Sequence, residues 1–164
     1  MKALFIGGIK SGKSKNAEDF TIKHANKKPY YLATTEFIDD EIAKKIELHK
    51  LQREDNFITI EEALNLSEKI KECNEIVLVE CLSMWINNML YHEKSHEEIF
   101  YEIDKILSLE NSIVFVLNDV GSGIIPENKL AREFIDLSGI IAQKIASKCD
   151  EVYHTIAGIS TKIK

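Results

Sequence analysis

The sequence predicts an α/β fold built on a mostly parallel sheet. Three observations predict it. Short apolar runs alternate with longer stretches of helical periodicity along the whole chain. Two of those runs, EIVLVE (75–80) and SIVFVLN (112–118), are nearly continuous in apolar side chains, as expected of strands covered on both faces. The first run, KALFI (2–6), passes directly into glycines and then into a helical segment, the strand–loop–helix order of a nucleotide-binding unit.

In order, residues 2–6 read as a buried strand and 13–25 as a helix. Pro29 stands before a second strand over 30–33. Residues 38–53 are helical by their spacing, FITI (57–60) is a short strand, and 61–72 reads as an amphipathic helix. The apolar strand 75–80 follows, then helices over 82–91 and 97–107, and the strand 112–118. The segment GSGIIPEN reads as a turn leading into a long helix over 129–148, and a last strand covers 151–156. There is no repeat, low-complexity segment or Gly/Ser linker. The 164 residues suit one domain, 1–164, with a well-formed core.

Composition narrows the function. A formal net charge of −6 argues against a nucleic-acid partner for the surface as a whole, although a small anion can still be held in a local positive pocket. Cys73, Cys81 and Cys149 are odd in number and widely spaced, which argues against a disulfide framework or a zinc knuckle and fits a reducing cytosol. No apolar run approaches the ~20 residues of a membrane span, and no leader precedes the first strand. A cytoplasmic protein is expected.

Gly7, Gly8, Ile9, Lys10, Ser11, Gly12, Lys13 and Ser14 fit the phosphate-loop pattern G-x-x-x-x-G-K-[ST] in its required context. Glycines let the backbone curl so that its N–H groups converge on phosphate oxygens, and the helix N-terminus adds partial positive charge. Lys13 can then reach the β- and γ-phosphates and the Ser14 hydroxyl can ligate Mg²⁺. A chance glycine turn is the bland alternative. The metal also calls for a carboxylate at a strand's C-terminal end. Glu80 is the first choice and Asp119 the second; plain strand ends are the alternative for both.

The histidines are less clear. Ile42, Ile46 and His49 fall on one helical face, so His49 reads first as a hydrogen-bonded packed side chain, with a reactive one as the alternative. His92 and His96 have i, i+4 spacing without a third ligand and read as solvated; His24 and His154 show no partner in the sequence. Lys27 and Lys28 read as favourable cations at a helix C-terminus.

Several motifs together resemble one family. GGIKSGKS, YLATTEFIDDEI, I-x-x-H-K-x-x-R-x-x-x-F-x-T-I-E, VLVECLSMWINNML and NDVGSGIIPENKLAREFIDLSGIIAQKIA occur in the order found in the bifunctional adenosylcobinamide kinase/adenosylcobinamide-phosphate guanylyltransferases of cobalamin synthesis. The resemblance implies a RecA-like P-loop fold, a cytoplasmic homotrimer with active sites near subunit interfaces, Mg²⁺, GTP and ATP as substrates, and adenosylcobinamide as the corrinoid acceptor. It makes His49 the guanylyl-accepting residue. It places nucleotide contacts at residues 7–14, at Ala33, Thr34 and Thr35, at Lys50, Leu51, Gln52 and Arg53, at Glu61 and at the strand end near Glu80. Arg53, one turn beyond His49, would steady the α-phosphate or the departing pyrophosphate, or else is a solvated surface arginine. Glu61 would accept from a ribose or a guanine, or else is a helix N-terminal carboxylate. The residues alone leave two rivals standing. One is a different small-molecule P-loop kinase with a structural His49. The other is a P-loop module whose nucleotide drives switching or assembly.

Overall fold

In the computed structural model, which describes residues 1–36 and 55–164, seven strands form one sheet. The strands are β1 (Lys2–Gly7), β2 (Tyr30–Ala33), β3 (Ile58–Glu61), β4 (Val77–Glu80), β5 (Ile113–Asn118), β6 (Glu151–Ile156) and β7 (Ile159–Lys162). The described helices are α1 (Lys13–His24), α2 (Leu66–Glu72), α3 (Leu82–Tyr91), α4 (His96–Ser108) and α5 (Lys129–Lys148). The sheet order is β3-β2-β4-β5-β1-β6-β7. Every pairing is parallel except β6 with β7.

The central strands are apolar because both their faces are covered. Along β5 successive side chains divide between two cores, as a period of two requires. Ile113, Phe115 and Leu117 join Leu4, Val79, Trp85, Ile103 and Ile141 on the face packed by α2–α5. Val114 and Val116 join Phe5, Ala17, Tyr31 and Leu78 on the face carrying α1. Phe5 stacks on Tyr153 with centroids 4.6 Å apart, and Phe20 of α1 meets both rings edge-on.

Helix starts follow local chemistry. Ser95 and Glu98 form a capping box at α4, the Ser95 hydroxyl accepting from Glu98 N and the Glu98 carboxylate from Ser95 N. At α5, Asn128 accepts from Ala131 N at 3.1 Å, which is the helix start expected at the end of GSGIIPEN. Leu137, Ile141 and Ile145 then bury one stripe of α5.

Two expectations are corrected. The helix expected over 61–72 begins only at Leu66, and Glu61 is the last residue of β3. The intervening residues turn, because the Glu62 carboxylate accepts from Leu64 N and Asn65 N while Trp85 Nε1 donates to Leu64 O at 2.9 Å. Those local and tertiary bonds outweigh the helix propensity of Glu and Ala. The chain also does not stop at β6. It reverses through Ala157–Gly158 into an edge strand, β7, whose short polar run ISTK carries little strand signal. The helix expected over 38–53 lies outside the described residues. Among the described residues no helix is long and apolar enough to cross a membrane.

Candidate active site at the C-terminal edge of the sheet

Because six of the strands run in parallel, their C-terminal ends share one edge, where open α/β sheets bind ligands. β1 ends there in Gly7, and α1 begins at Lys13. A Cβ on Gly7 would collide with the carbonyl oxygen of Thr155 and lie 2.8 Å from Ser11 Oγ, so the tight exit from the strand requires glycine. Lys10 and Gly12 sit in the left-handed region, at φ 60° and 94°, and close the curl. The first turn of α1 carries no acidic residue and no side-chain cap, which leaves its amide dipoles to an anion. Lys13 is buried, and its Nζ donates to Gly8 O at 3.2 Å, so the ammonium lies folded over the loop.

Glu80 ends β4, two strands from β1 and thus about 10 Å away at ordinary strand spacing. The gap is spanned by α1, which lies over β1, β5 and β4 and brings the Ser14 hydroxyl to Glu80. Ser14 Oγ donates to Glu80 Oε1 at 2.7 Å. Asp119 follows β5, the strand between them, and its N–H donates to Gly7 O at 2.9 Å. Its carboxylate turns into its own loop, where Oδ1 accepts from Gly121 N at 3.3 Å and Oδ2 from Ser122 Oγ at 2.8 Å. Of the two acidic candidates, Glu80 is therefore the one beside Ser14. A hydroxyl and a carboxylate in contact form an all-oxygen donor set suited to a hard cation such as Mg²⁺, which takes one or two protein oxygens and completes its shell with phosphate and water.

The other predicted residues spread along the same edge. Ala33 pairs in register with Glu80 on one side and Glu61 on the other. Glu61, on the edge strand β3, lies four strand spacings from β1, about 19 Å. Thr34 faces inward and is fully buried. Its hydroxyl accepts from Cys81 N at 3.1 Å and donates to Cys81 O at 2.9 Å, knitting the ends of β2 and β4 together. Thr35 continues the chain just beyond it, half-buried. His49, Lys50, Leu51, Gln52 and Arg53 lie outside the described residues.

His92 and His96 do not converge, since each meets a different carboxylate, Glu36 at 2.9 Å and Glu133 at 2.8 Å. Among the described residues no three His, Cys, Asp or Glu side chains group as metal ligands. Lys27 and Lys28 lie past the end of α1 at His24. His24 Nδ1 instead meets Phe20 O at 2.8 Å, within the last turn.

Sequence reasoning missed three contributors. Asn88 is fully buried in α3 and donates to Thr34 O at 2.6 Å and Ala63 O at 3.2 Å, bracing the edge between β2 and β3. The asparagine pair, Asn87 and Asn88, inside the apolar run MWINNML was its only signal. Asn16 and Gly158 join the last hairpin to the phosphate loop, and AG between two isoleucines was theirs.

Residues 3–163 match the family described as cobinamide kinase/cobinamide phosphate guanyltransferase. The bifunctional adenosylcobalamin biosynthesis protein CobU of Escherichia coli is 33% identical over 183 aligned positions covering 100% of both chains. The corresponding CobP of Pseudomonas aeruginosa is 31% identical over 171 positions, covering 100% of this chain and 98% of its own. The solved KaiC-like protein PH0186 of Pyrococcus horikoshii shares the fold, with a TM-score of 0.53 at 15% identity over 93% of this chain and 69% of that one. With a family match over nearly its full length and relatives aligned from end to end, the chain belongs to the cobinamide kinase/cobinamide phosphate guanyltransferase family.

Proposed function

We propose that one triphosphate site serves two successive transfers to a corrinoid. In the first, the γ-phosphoryl group of ATP or GTP passes to the aminopropanol hydroxyl of adenosylcobinamide. Such a transfer needs positioning and charge neutralisation more than covalent help. Lys13 and the loop amides hold the phosphate chain, and Lys13 follows the charge that develops on the leaving oxygen. Ser14 and Glu80 would hold Mg²⁺, which when bound neutralises phosphate charge. The single observation that carries the reading is the meeting of Lys13, Ser14 and Glu80 at the mouth of a phosphate loop.

In the second transfer a neutral His49 ring nitrogen attacks the α-phosphorus of GTP. A P–N bond forms, the bond to the bridging oxygen breaks, and pyrophosphate departs. A phosphate oxygen of adenosylcobinamide phosphate then displaces the histidine, giving adenosylcobinamide-GDP and restoring the ring. The adduct divides one difficult transfer into two easier ones. Arg53 steadies the α-phosphate or the leaving pyrophosphate. Glu61, with Ala33 and Thr35 beside it on the same edge, takes the guanosine end of the nucleotide; its distance from β1 suits a ligand lying along the strand ends rather than over one of them. Lys50, Leu51 and Gln52 complete the nucleotide contacts. The same reading makes the enzyme a cytoplasmic homotrimer, with a single domain per subunit.

Incubation with α-labelled GTP and Mg²⁺, followed by a denaturing gel and intact mass, tests it. The expected result is one added GMP, acid-labile and base-tolerant, absent in His49→Asn while the kinase step persists. Labelling should fall as pH drops below about 6.5, because protonation removes the attacking lone pair. Unlabelled wild-type protein would leave a kinase alone, and equal labelling of His49→Asn would move the nucleophile elsewhere.

A further inference from the structure

The last hairpin of the chain reaches back to the phosphate loop. Ala157 and Gly158 join β6 to β7 at φ 51° and 83°, the two left-handed conformations of a type I′ turn. The Gly158 N–H donates to Ser11 O at 2.7 Å. A Cβ on Gly12 would lie 2.8 Å from Gly158 Cα, so the loop and the turn meet glycine to glycine. Asn16, in the first turns of α1, donates from Nδ2 to Gly158 O at 3.0 Å and to Ser160 Oγ at 2.7 Å. Ser160 Oγ in turn lies 2.7 Å from Thr155 Oγ1, and the Thr155 carbonyl is the group that crowds Gly7.

These contacts address a physical problem of the loop. Amide dipoles that converge on one point repel each other until an anion arrives. Lys10 at φ 60° adds local strain, since a lysine rarely adopts the left-handed region. A loop held open by nothing would have to be ordered by its ligand, at the expense of affinity.

We propose that the β6–β7 turn is a clamp that holds the phosphate loop in its anion-binding curl before nucleotide arrives, with Asn16 and Gly158 as positioning residues for both transfers. The inference rests on the reading above only in taking this loop as the seat of the nucleotide's phosphates. A clamp on the loop acts on nucleotide affinity by the same factor in both reactions and leaves the corrinoid's KM alone. It also acts on bare phosphate chains, because the turn meets the phosphate loop itself, at Ser11 and Gly12.

The backbone of Gly158 supplies a discriminating set of variants. A Cβ there meets no heavy atom within 4 Å among the described residues, so a substitution tests conformation rather than space. Asparagine tolerates the left-handed region and valine resists it.

The test is calorimetric titration of the full chain with GTP and with inorganic tripolyphosphate, both with Mg²⁺, alongside thermal unfolding and the KM of each substrate. Asn16→Ala and Gly158→Val are expected to weaken both ligands roughly tenfold, and Gly158→Asn to stay near wild type. KM for GTP should rise by one factor in the two reactions while KM for adenosylcobinamide holds. If Asn16→Ala and Gly158→Val melt earlier yet, below their midpoints, bind both probes like wild type, the hairpin is structural only and the clamp is overturned. A loss confined to GTP overturns it as well, since the effect would then lie at the nucleoside. Should Gly158→Val not fold, Asn16→Ala decides alone. Wild-type protein that binds neither probe would instead remove the phosphate-loop reading, and the clamp with it.

Discussion

β4 and β5 are neighbours in the sheet, run the same way and lead at the same edge to an acidic residue, yet the two acids are used differently. Asp119 is nearer the phosphate loop by strand order and touches it through the main chain, its N–H donating to Gly7 O. Its carboxylate is spent on Gly121 N and Ser122 Oγ and shapes the loop that follows. Glu80 is one strand further off, but α1 carries the Ser14 hydroxyl across to it. The adjacent strand thus anchors the phosphate loop, and the next one presents a side chain to its mouth. Proximity along the sheet does not decide which acid serves the site; the path of the helix over the sheet does.

The largest effect should come from removing the group on which that contrast depends. Lys13→Ala takes the ammonium from the loop that both strands border. An electrostatic contact that strengthens in the transition state contributes several kcal/mol, so both transfers should slow on the order of hundreds-fold or more. Normal turnover in either reaction would mean that the phosphates lie elsewhere, and the difference between β4 and β5 would lose its meaning. Glu80→Gln should come next. The amide is nearly isosteric, so the fold should survive, but the metal loses a charged oxygen partner. A magnesium titration of the kinase step should show apparent affinity falling about 10- to 100-fold, the range seen when a metal site loses a supporting carboxylate.

How much of this was legible beforehand follows from where the signals are local. β5 and β4 declared themselves through continuous apolar runs, and the phosphate loop through glycine spacing, because each depends on residues adjacent in sequence. The choice between Glu80 and Asp119 rested on preference alone, since both follow such runs and only the crossing of α1 separates them. Glu61 carried the wrong local structure: EEAL favours a helix, but pairing of β3 with β2 and the bond from Trp85 to Leu64 O are long-range. The hairpin was missed for a related reason. Its turn is short and its outer strand polar, and the glycine contact between Gly12 and Gly158 joins opposite ends of the chain.

Asp119→Asn should be the mild counterpart to Glu80→Gln. An asparagine Oδ1 can still accept from Gly121 N or Ser122 Oγ, so the loop loses charge but not its turn. Rates should stay within several-fold of wild type and the magnesium titration should not move. If instead Asp119→Asn shifts the magnesium dependence more than Glu80→Gln does, the roles of the two strand ends are exchanged.

The smallest expected effect gives the comparison an electrostatic reporter. Cys81 follows Glu80 directly, and its thiol is pushed up to about 11, first by burial and then by the Glu80 carboxylate. Asp119 is not among the groups that move it. Glu80→Gln should therefore lower the Cys81 pKa somewhat, and Asp119→Asn should leave it in place. Because only the thiolate reacts, alkylation of Cys81 at about pH 9, followed by peptide mass mapping, should run a few-fold faster in Glu80→Gln. It should still lag behind a free thiol, since burial is the larger cause. The sign for stability follows from the same shift. A thiol that ionises later in the folded chain than in the unfolded one contributes stability that is intact below an ordinary thiol pKa of about 8.5 and lost as pH rises toward 11. In Glu80→Gln the upper end of that window should move down. Equal alkylation in the two variants would mean that the Glu80 carboxylate does not hold the Cys81 thiol up and that burial alone does.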